Sequence, residues 1–171
     1  APGVLIPRPE TEGAVEAALN VIRQPGFRNP DTPLRIAELG TGSAAIPLAL
    51  CSEATNLRMV TVEKSEAALS VAKQNLRQHN ALLSPRNNTI TLVQGNGLEM
   101  LGDEGQWDLV VSNPPYVSEG NEALAPGVRQ FEPELALFAG ADGLGCVRLL
   151  LEESVWLLRP EGRLVCEIGA G

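Results

Sequence analysis

A chain of 171 residues with 44% apolar content has the size and composition of one globular domain with a real core. Thirteen basic residues against twenty-one acidic ones give a formal charge of -8, which favours solubility and disfavours unaided binding to phosphate backbones. Cys51, Cys146 and Cys166 are too few and too widely spaced for a disulfide scaffold or a metal motif, and they fit a reducing compartment. No apolar run is long enough to span a bilayer and no signal peptide is visible, so the expected setting is intracellular, in the cytoplasm or the mitochondrial matrix. The abrupt start at Ala1 fits a piece trimmed from a longer chain.

Val4-Leu5-Ile6-Pro7-Arg8-Pro9-Glu10-Thr11 is a short apolar run locked by prolines. Val15, Ala18, Leu19 and Ile22 then recur at helical spacing, with Thr11 as the expected cap. After a turn-rich loop from Pro25 to Pro33, Leu34 to Leu39 reads as the first strand. Gly40-Thr41-Gly42-Ser43 turns it into a helix from about Ala44 to Ser52. A second strand, Arg58 to Val62, leads through Glu63 to a helix from Glu66 to about Asn80, with Leu69, Ala72 and Leu76 on its apolar face. Thr89 to Val93 is a third strand, followed by Gly95-Asn96-Gly97.

Leu109-Val110-Val111 is a fourth, fully buried strand, which Asn113-Pro114-Pro115 stops by removing two donors and fixing φ twice. Val117 to Ala141 has no clear periodicity, as in a functional lid or binding loop. Leu144, Val147, Leu151, Val155 and Leu158 form a last helical stripe, ended by Arg159-Pro160-Glu161-Gly162 before a strand from Arg163 to Ile168. Strands alternating with helices predict an α/β fold, a doubly wound, mostly parallel sheet in order 3-2-1-4-5, with Gly40 and Asn113 meeting at its carboxyl edge. No repeat or domain boundary interrupts residues 1–171, which read as one domain.

Two stretches carry chemistry. Glu38-Leu39-Gly40-Thr41-Gly42 lies where a strand turns into a helix, and glycine there lets the backbone approach a ligand. Glu63 follows 23 residues after Gly40, at the end of the second strand, where a carboxylate can accept both hydroxyls of a ribose. Together they favour an adenosine-containing ligand, and the missing Walker lysine argues against a P-loop nucleotide. The plainer reading is an ordinary turn and a solvated Glu63 facing Lys64. The second stretch, Asn113-Pro114-Pro115-Tyr116, is a rigid loop where open α/β sheets hold their chemistry, or else a strand stop with a surface tyrosine. His79 reads as a surface histidine.

These motifs, with Ile6-Pro7-Arg8-Pro9-Glu10-Thr11, Phe131-Glu132-Pro133 and Glu167-Ile168-Gly169, resemble the HemK family of class I S-adenosylmethionine-dependent methyltransferases, which methylate a glutamine of peptide chain release factors. The resemblance covers nearly the whole chain and implies a Rossmann-like fold, here without its last strand hairpin and without the family's amino-terminal substrate-recognition domain. It implies S-adenosylmethionine contacts from Glu38, Gly40, Thr41, Gly42, Glu63, Lys64, Asn96, Gly97, Leu98 and Asn113, with S-adenosylhomocysteine as product. Asn113 and the Pro114 carbonyl would accept the two N–H bonds of the glutamine amide, Pro115 would stiffen the loop, and Tyr116 would pack on the substrate. Arg8, Pro9, Glu10 and Glu132 would brace the substrate loop, against a plainer reading of Arg8 and Glu10 as a solvated ion pair and Glu132 as a solvated loop residue. No metal is implied. Three positions depart from the family pattern: Ala44 replaces a third glycine, Asn96 an aspartate, and Arg129 is separated from Phe131 by Gln130. Two alternatives stand beside this reading: an adenine amino-methyltransferase of DNA or RNA, which would flip its base into the same pocket, and a degenerate, non-catalytic scaffold.

Overall fold

The computed structural model describes residues 3–29, 31–102, 106–120, 127–128 and 132–169. Arg129, Gln130 and Phe131 lie outside these described residues. Five strands form one parallel sheet in the order β3-β2-β1-β4-β5, as the alternation predicts. They are β1 (Leu34–Leu39), β2 (Leu57–Glu63), β3 (Thr89–Gln94), β4 (Trp107–Ser112) and β5 (Leu158–Cys166). The helices are α1 (Thr11–Ile22), α2 (Ala45–Glu53), α3 (Glu66–Gln78), the short α4 (Asn80–Leu83) and α5 (Glu134–Leu137), and α6 (Gly145–Leu157).

Alternation along each strand divides the core into two layers. Ile36, Met59, Leu109 and Val111 meet Ala18, Leu19 and Ile22 of α1 and Leu50 of α2 on one face. Ala37, Val62 and Val110 meet Leu98, Leu101 and the α6 residues Leu150 and Leu157 on the other. β1 and β4 are interior strands covered on both faces, so the loops at their carboxyl ends rest on buried, fully paired strands.

Several boundaries differ from the sequence reading. Thr11 is not the cap of α1: Glu10 holds that position without a side-chain bond, and Thr11 is the first helical residue. Ala44 is not helical but left-handed, at φ 66°, with α2 starting at Ala45. Rather than continuing to Asn80, α3 ends at Gln78, and the exposed His79 separates it from α4.

The stripe assigned to α6 is its outer side. Leu144, Leu151 and Val155 are exposed, Val155 at 83%, while Leu150, Glu153, Ser154 and Leu157 face the sheet. A helix apolar around most of its circumference gives no unique face from periodicity alone.

The last strand starts at Leu158 and stops at Cys166, not at Ile168. Its register passes from Trp107↔Leu158 to Leu109↔Arg163, so Arg159–Gly162 bulges out of the sheet, with Glu161 at φ 67°. Arg159 secures the bulge: its Nε donates to Asp108 Oδ1 at 2.6 Å and a terminal nitrogen donates to the Phe27 carbonyl at 2.6 Å.

Candidate active site

The site grows from the ends of the two central strands. Where β1 ends, Gly40 at φ 80° and Gly42 at φ 54° turn the chain through conformations that a side chain resists. A Cβ on Gly40 would lie 3.8 Å from the carbonyl oxygen of Asn113, so the two loops approach backbone to backbone. Glu63, at the end of β2, fixes this turn: its Oε2 accepts from the Gly42 N–H at 2.9 Å and its Oε1 from the Ser65 N–H at 2.8 Å. On the far side of the turn, Asn75 Nδ2 donates to the Ser43 carbonyl at 2.8 Å. Glu63 is therefore not simply a solvated strand-end carboxylate facing Lys64. Each of its oxygens retains a second lone pair for a ligand hydroxyl.

Beneath this turn lies Glu38, fully buried, with neither carboxylate oxygen hydrogen-bonded. Burial first, and then the nearby Glu63 carboxylate, raises its pKa well above the usual value.

Where β4 ends, the Ser112 hydroxyl donates to the Leu39 carbonyl at 2.7 Å and the Glu167 N–H donates to the Ser112 carbonyl at 3.0 Å. The Asn113-Pro114-Pro115-Tyr116 loop is thus tied to β1 and to the end of β5. Asn113 Nδ2 donates to Thr11 Oγ1 at 2.9 Å. The Tyr116 hydroxyl donates to Glu167 Oε1 at 3.2 Å, and its ring lies where a side chain on Gly169 would have to go. Burial, then Glu167, and then Glu10 raise the Tyr116 pKa, while Arg8 lowers it.

A cavity of about 230 Å³ opens between these two strand ends. Gly40, Gly42, Glu63, Lys64, Asn96, Asn113, Pro114 and Pro115 all line it. The remaining sequence-predicted residues lie outside the lining. Glu38 and Thr41 are buried behind the turn. Leu98 is buried too, its N–H donating to Glu153 Oε2 at 2.5 Å, and a Cβ on Gly97 would collide with that same carboxylate. Tyr116, Arg8, Pro9, Glu10 and Glu132 sit outside the cavity wall as well.

Arg8 does not pair with Glu10; its guanidinium meets Glu132 Oε1 at 3.0 Å, and the Glu132 side chain is only 8% exposed. This replaces both the local ion pair and the solvated-loop reading of Glu132. The pair joins the segment before α1 to the segment before α5. The cavity is also lined by Val4 and Leu5 from the first segment and by Pro133, Ala136 and Phe138 from in and around α5. Sequence reasoning missed these walls, and Cys146 and Leu149 of α6, because no local pattern marks an apolar residue that faces a ligand instead of the core.

A family model described as "Methyltransferase small domain" matches residues 26–131. Proteins named release factor glutamine methyltransferase match nearly the whole chain. The one from Enterococcus faecalis is 42% identical over 96% of this chain and 54% of its own length. That of Geobacter sulfurreducens is 39% identical over 99% and 55%, and that of Streptomyces coelicolor 42% over 97% and 55%. The chain spans about half the length of these relatives. Among solved structures, the human methyltransferase 10 domain containing protein superposes with a TM-score of 0.66 at 22% identity, covering 98% of this chain and 68% of its own. The hMettl16 catalytic domain, described in complex with an RNA hairpin, gives 0.68 at 20% identity, over 98% and 58%. At these identities the solved structures establish the shared fold. With the family model matching most of its length, the chain belongs to the methyltransferase small domain family.

Proposed function

We propose that the chain is the catalytic domain of an S-adenosylmethionine-dependent enzyme that methylates the side-chain nitrogen of a glutamine in a protein, the Gly-Gly-Gln loop of a peptide chain release factor. The observation that carries this reading is 42% identity over 96% of the chain to a protein of that name. The cavity supports it, since the glycine turn and the Asn-Pro-Pro loop form its two opposing walls.

The residues present fit the cofactor. Gly40 and Gly42 leave room for it, Glu63 offers acceptors to a ribose, and Lys64 and Asn96 stand on the same wall. Glu38 keeps two buried oxygens without partners at the base of the turn. Thr41, Gly97 and Leu98 shape the wall from behind. Once bound, S-adenosylmethionine supplies an electrophilic methyl group and is released as S-adenosylhomocysteine.

The chain's own contribution is orientation. A glutamine nitrogen is a poor nucleophile because its lone pair is delocalised into the carbonyl. Asn113 Oδ1 and the Pro114 carbonyl accept its two N–H bonds, fix it in line for transfer and favour the positive charge that develops on nitrogen. Pro115 holds the loop, and Tyr116, secured by Glu167, borders the substrate side with Arg8, Pro9, Glu10 and Glu132. The proton then leaves to solvent without a tuned base.

The net charge of -8 disfavours the adenine-directed alternative. The bacterial relatives support a cytoplasmic setting and give no support to a mitochondrial one. Among the described residues no helix is long and apolar enough to cross a membrane.

The test incubates the chain with methyl-labelled cofactor, a release factor, and adenine-containing RNA or DNA, and locates the label by mass spectrometry. Label on glutamine is expected; label on adenine moves the assignment to the alternative, and cofactor binding without transfer supports the scaffold. Asn113→Ala should leave cofactor affinity nearly unchanged and raise the barrier by about 2–4 kcal/mol, by analogy with losing one oriented oxyanion donor.

A further inference from the structure

An asparagine that must present an oxygen to a substrate has a difficulty of its own. Its amide is nearly symmetric in shape, and rotation by half a turn about its terminal bond exchanges an acceptor for two donors. Facing an N–H of the substrate, the flipped side chain would set donor against donor. Loop backbone rigidity does not prevent that flip, and Pro114 and Pro115 constrain φ, not the Asn113 side chain. Something outside the loop has to hold the amide in place.

The contact that steadies it comes from 102 residues earlier in the chain, from a threonine hydroxyl that can donate or accept and here accepts. Asn113 Nδ2 lies 2.9 Å from Thr11 Oγ1. Asn113 lines the cavity, and among the described residues its Oδ1 has no hydrogen-bond partner, which leaves the oxygen as the end available to a ligand. Thr11 is 8% exposed, so little water competes for this bond.

The support behind Thr11 is stiff. It is the first residue of α1, its own N–H is donated to the Arg8 carbonyl at 3.1 Å, and its β-branched side chain has restricted χ1. Ala18, Leu19 and Ile22 fasten the same helix into the core layer that holds Leu109 and Val111 of β4. A hydroxyl on a helix packed against the very strand that carries Asn113 is well placed to hold the amide still, and with Nδ2 on that hydroxyl Oδ1 is the end left for the cavity.

We propose that Thr11 is a positioning residue, holding the Asn113 side-chain amide by its nitrogen so that Oδ1 faces the substrate. What the oxygen then does rests on the glutamine reading above; that Thr11 holds it does not.

Two variants and two readouts test this. Thr11→Val keeps the shape and removes the hydroxyl; Thr11→Ser keeps the hydroxyl. In nitrogen-15 NMR spectra of the chain, the Asn113 side-chain NH₂ signal, assigned by its loss in Asn113→Ala, is expected to move and to exchange faster with water in Thr11→Val. It should stay close to the wild-type position in Thr11→Ser. In methyl transfer to a release factor, Thr11→Val should lower kcat about tenfold with the cofactor Kd unchanged, and Thr11→Ser should recover most of it. A melting temperature within the range of the serine variant shows that the valine protein is folded.

An Asn113 signal identical in wild type and Thr11→Val overturns the proposal, as does equal kcat in the two proteins. If the wild type transfers no methyl group to glutamine, the glutamine reading fails, and the NMR comparison still decides whether Thr11 holds the amide.

Discussion

Glu63 shows how one side chain can shape a turn and line a cavity together. Both of its oxygens accept backbone N–H groups, from Gly42 and Ser65, so it shapes the glycine turn before any ligand arrives. Glu63→Ala should therefore loosen the turn and remove the proposed ribose acceptor, weakening S-adenosylmethionine binding by about 1.5–3 kcal/mol. Calorimetric titration checks this, and equal affinity for both proteins would rule the role out. Glu38 presents the opposite case, a carboxyl with no partner. Its pKa is raised in the folded state by burial first and Glu63 second. A raised carboxyl pKa contributes stability that is complete below the unfolded value and is lost as pH climbs through the folded one. Above about pH 4.5, its ordinary value, wild type should thus lose ground to Glu38→Gln, whose amide cannot ionise. Thermal melts of both proteins from pH 4 to 8 should show the variant's advantage growing with pH. Parallel curves would mean that Glu38 does not titrate as its burial dictates. Ala44 adds a third residue-scale feature: at φ 66° and fully buried it holds a conformation that glycine adopts more readily, and its methyl group belongs to the core.

Elements whose pattern is local were legible in the sequence, and those defined by distant partners were not. The β1 and β4 runs announced buried strands, and the glycine and Pro-Pro stops announced loops at their carboxyl ends, which fixed the centre of the sheet and half of the cavity wall. Periodicity assigns α6 the wrong face, because Leu144, Leu151 and Val155 repeat at helical spacing as convincingly as Leu150 and Leu157 do. Leu150→Ala should cost about 2–5 kcal/mol in denaturant unfolding, and Val155→Ala less than about 0.5 kcal/mol. Equal losses would contradict the observed orientation. Pairings across the chain, such as Arg8 with Glu132 and Thr11 with Asn113, left no local trace, since spacing within one element says nothing about which loop it meets. The tie between Leu98 and Glu153 was hidden for the same reason: an acid inside an amphipathic helix reads as solvated until its partner is known.

For the molecule as a whole, the cavity belongs to no single element. Its floor is the centre of the sheet, and its sides are the segment before α1 and the segment around α5, latched to each other by Arg8 and Glu132. A ligand held there touches parts of the chain that are far apart in sequence, and it cannot bind to the unfolded chain in the same way. Binding should therefore stabilise the fold by mass action: S-adenosylhomocysteine at a hundred times its Kd adds about 2.7 kcal/mol. For a domain of this size that corresponds to a rise of about 5–10 °C in Tm. Glu63→Ala should reduce the rise at the same ligand concentration. Hydrogen exchange locates the effect, and protection should increase together at Leu5 and at Ala136 and Phe138, on the two opposite sides of the cavity. Protection confined to one side would mean that the other is a bystander, and an unchanged Tm at saturating ligand would remove the cofactor from this cavity altogether.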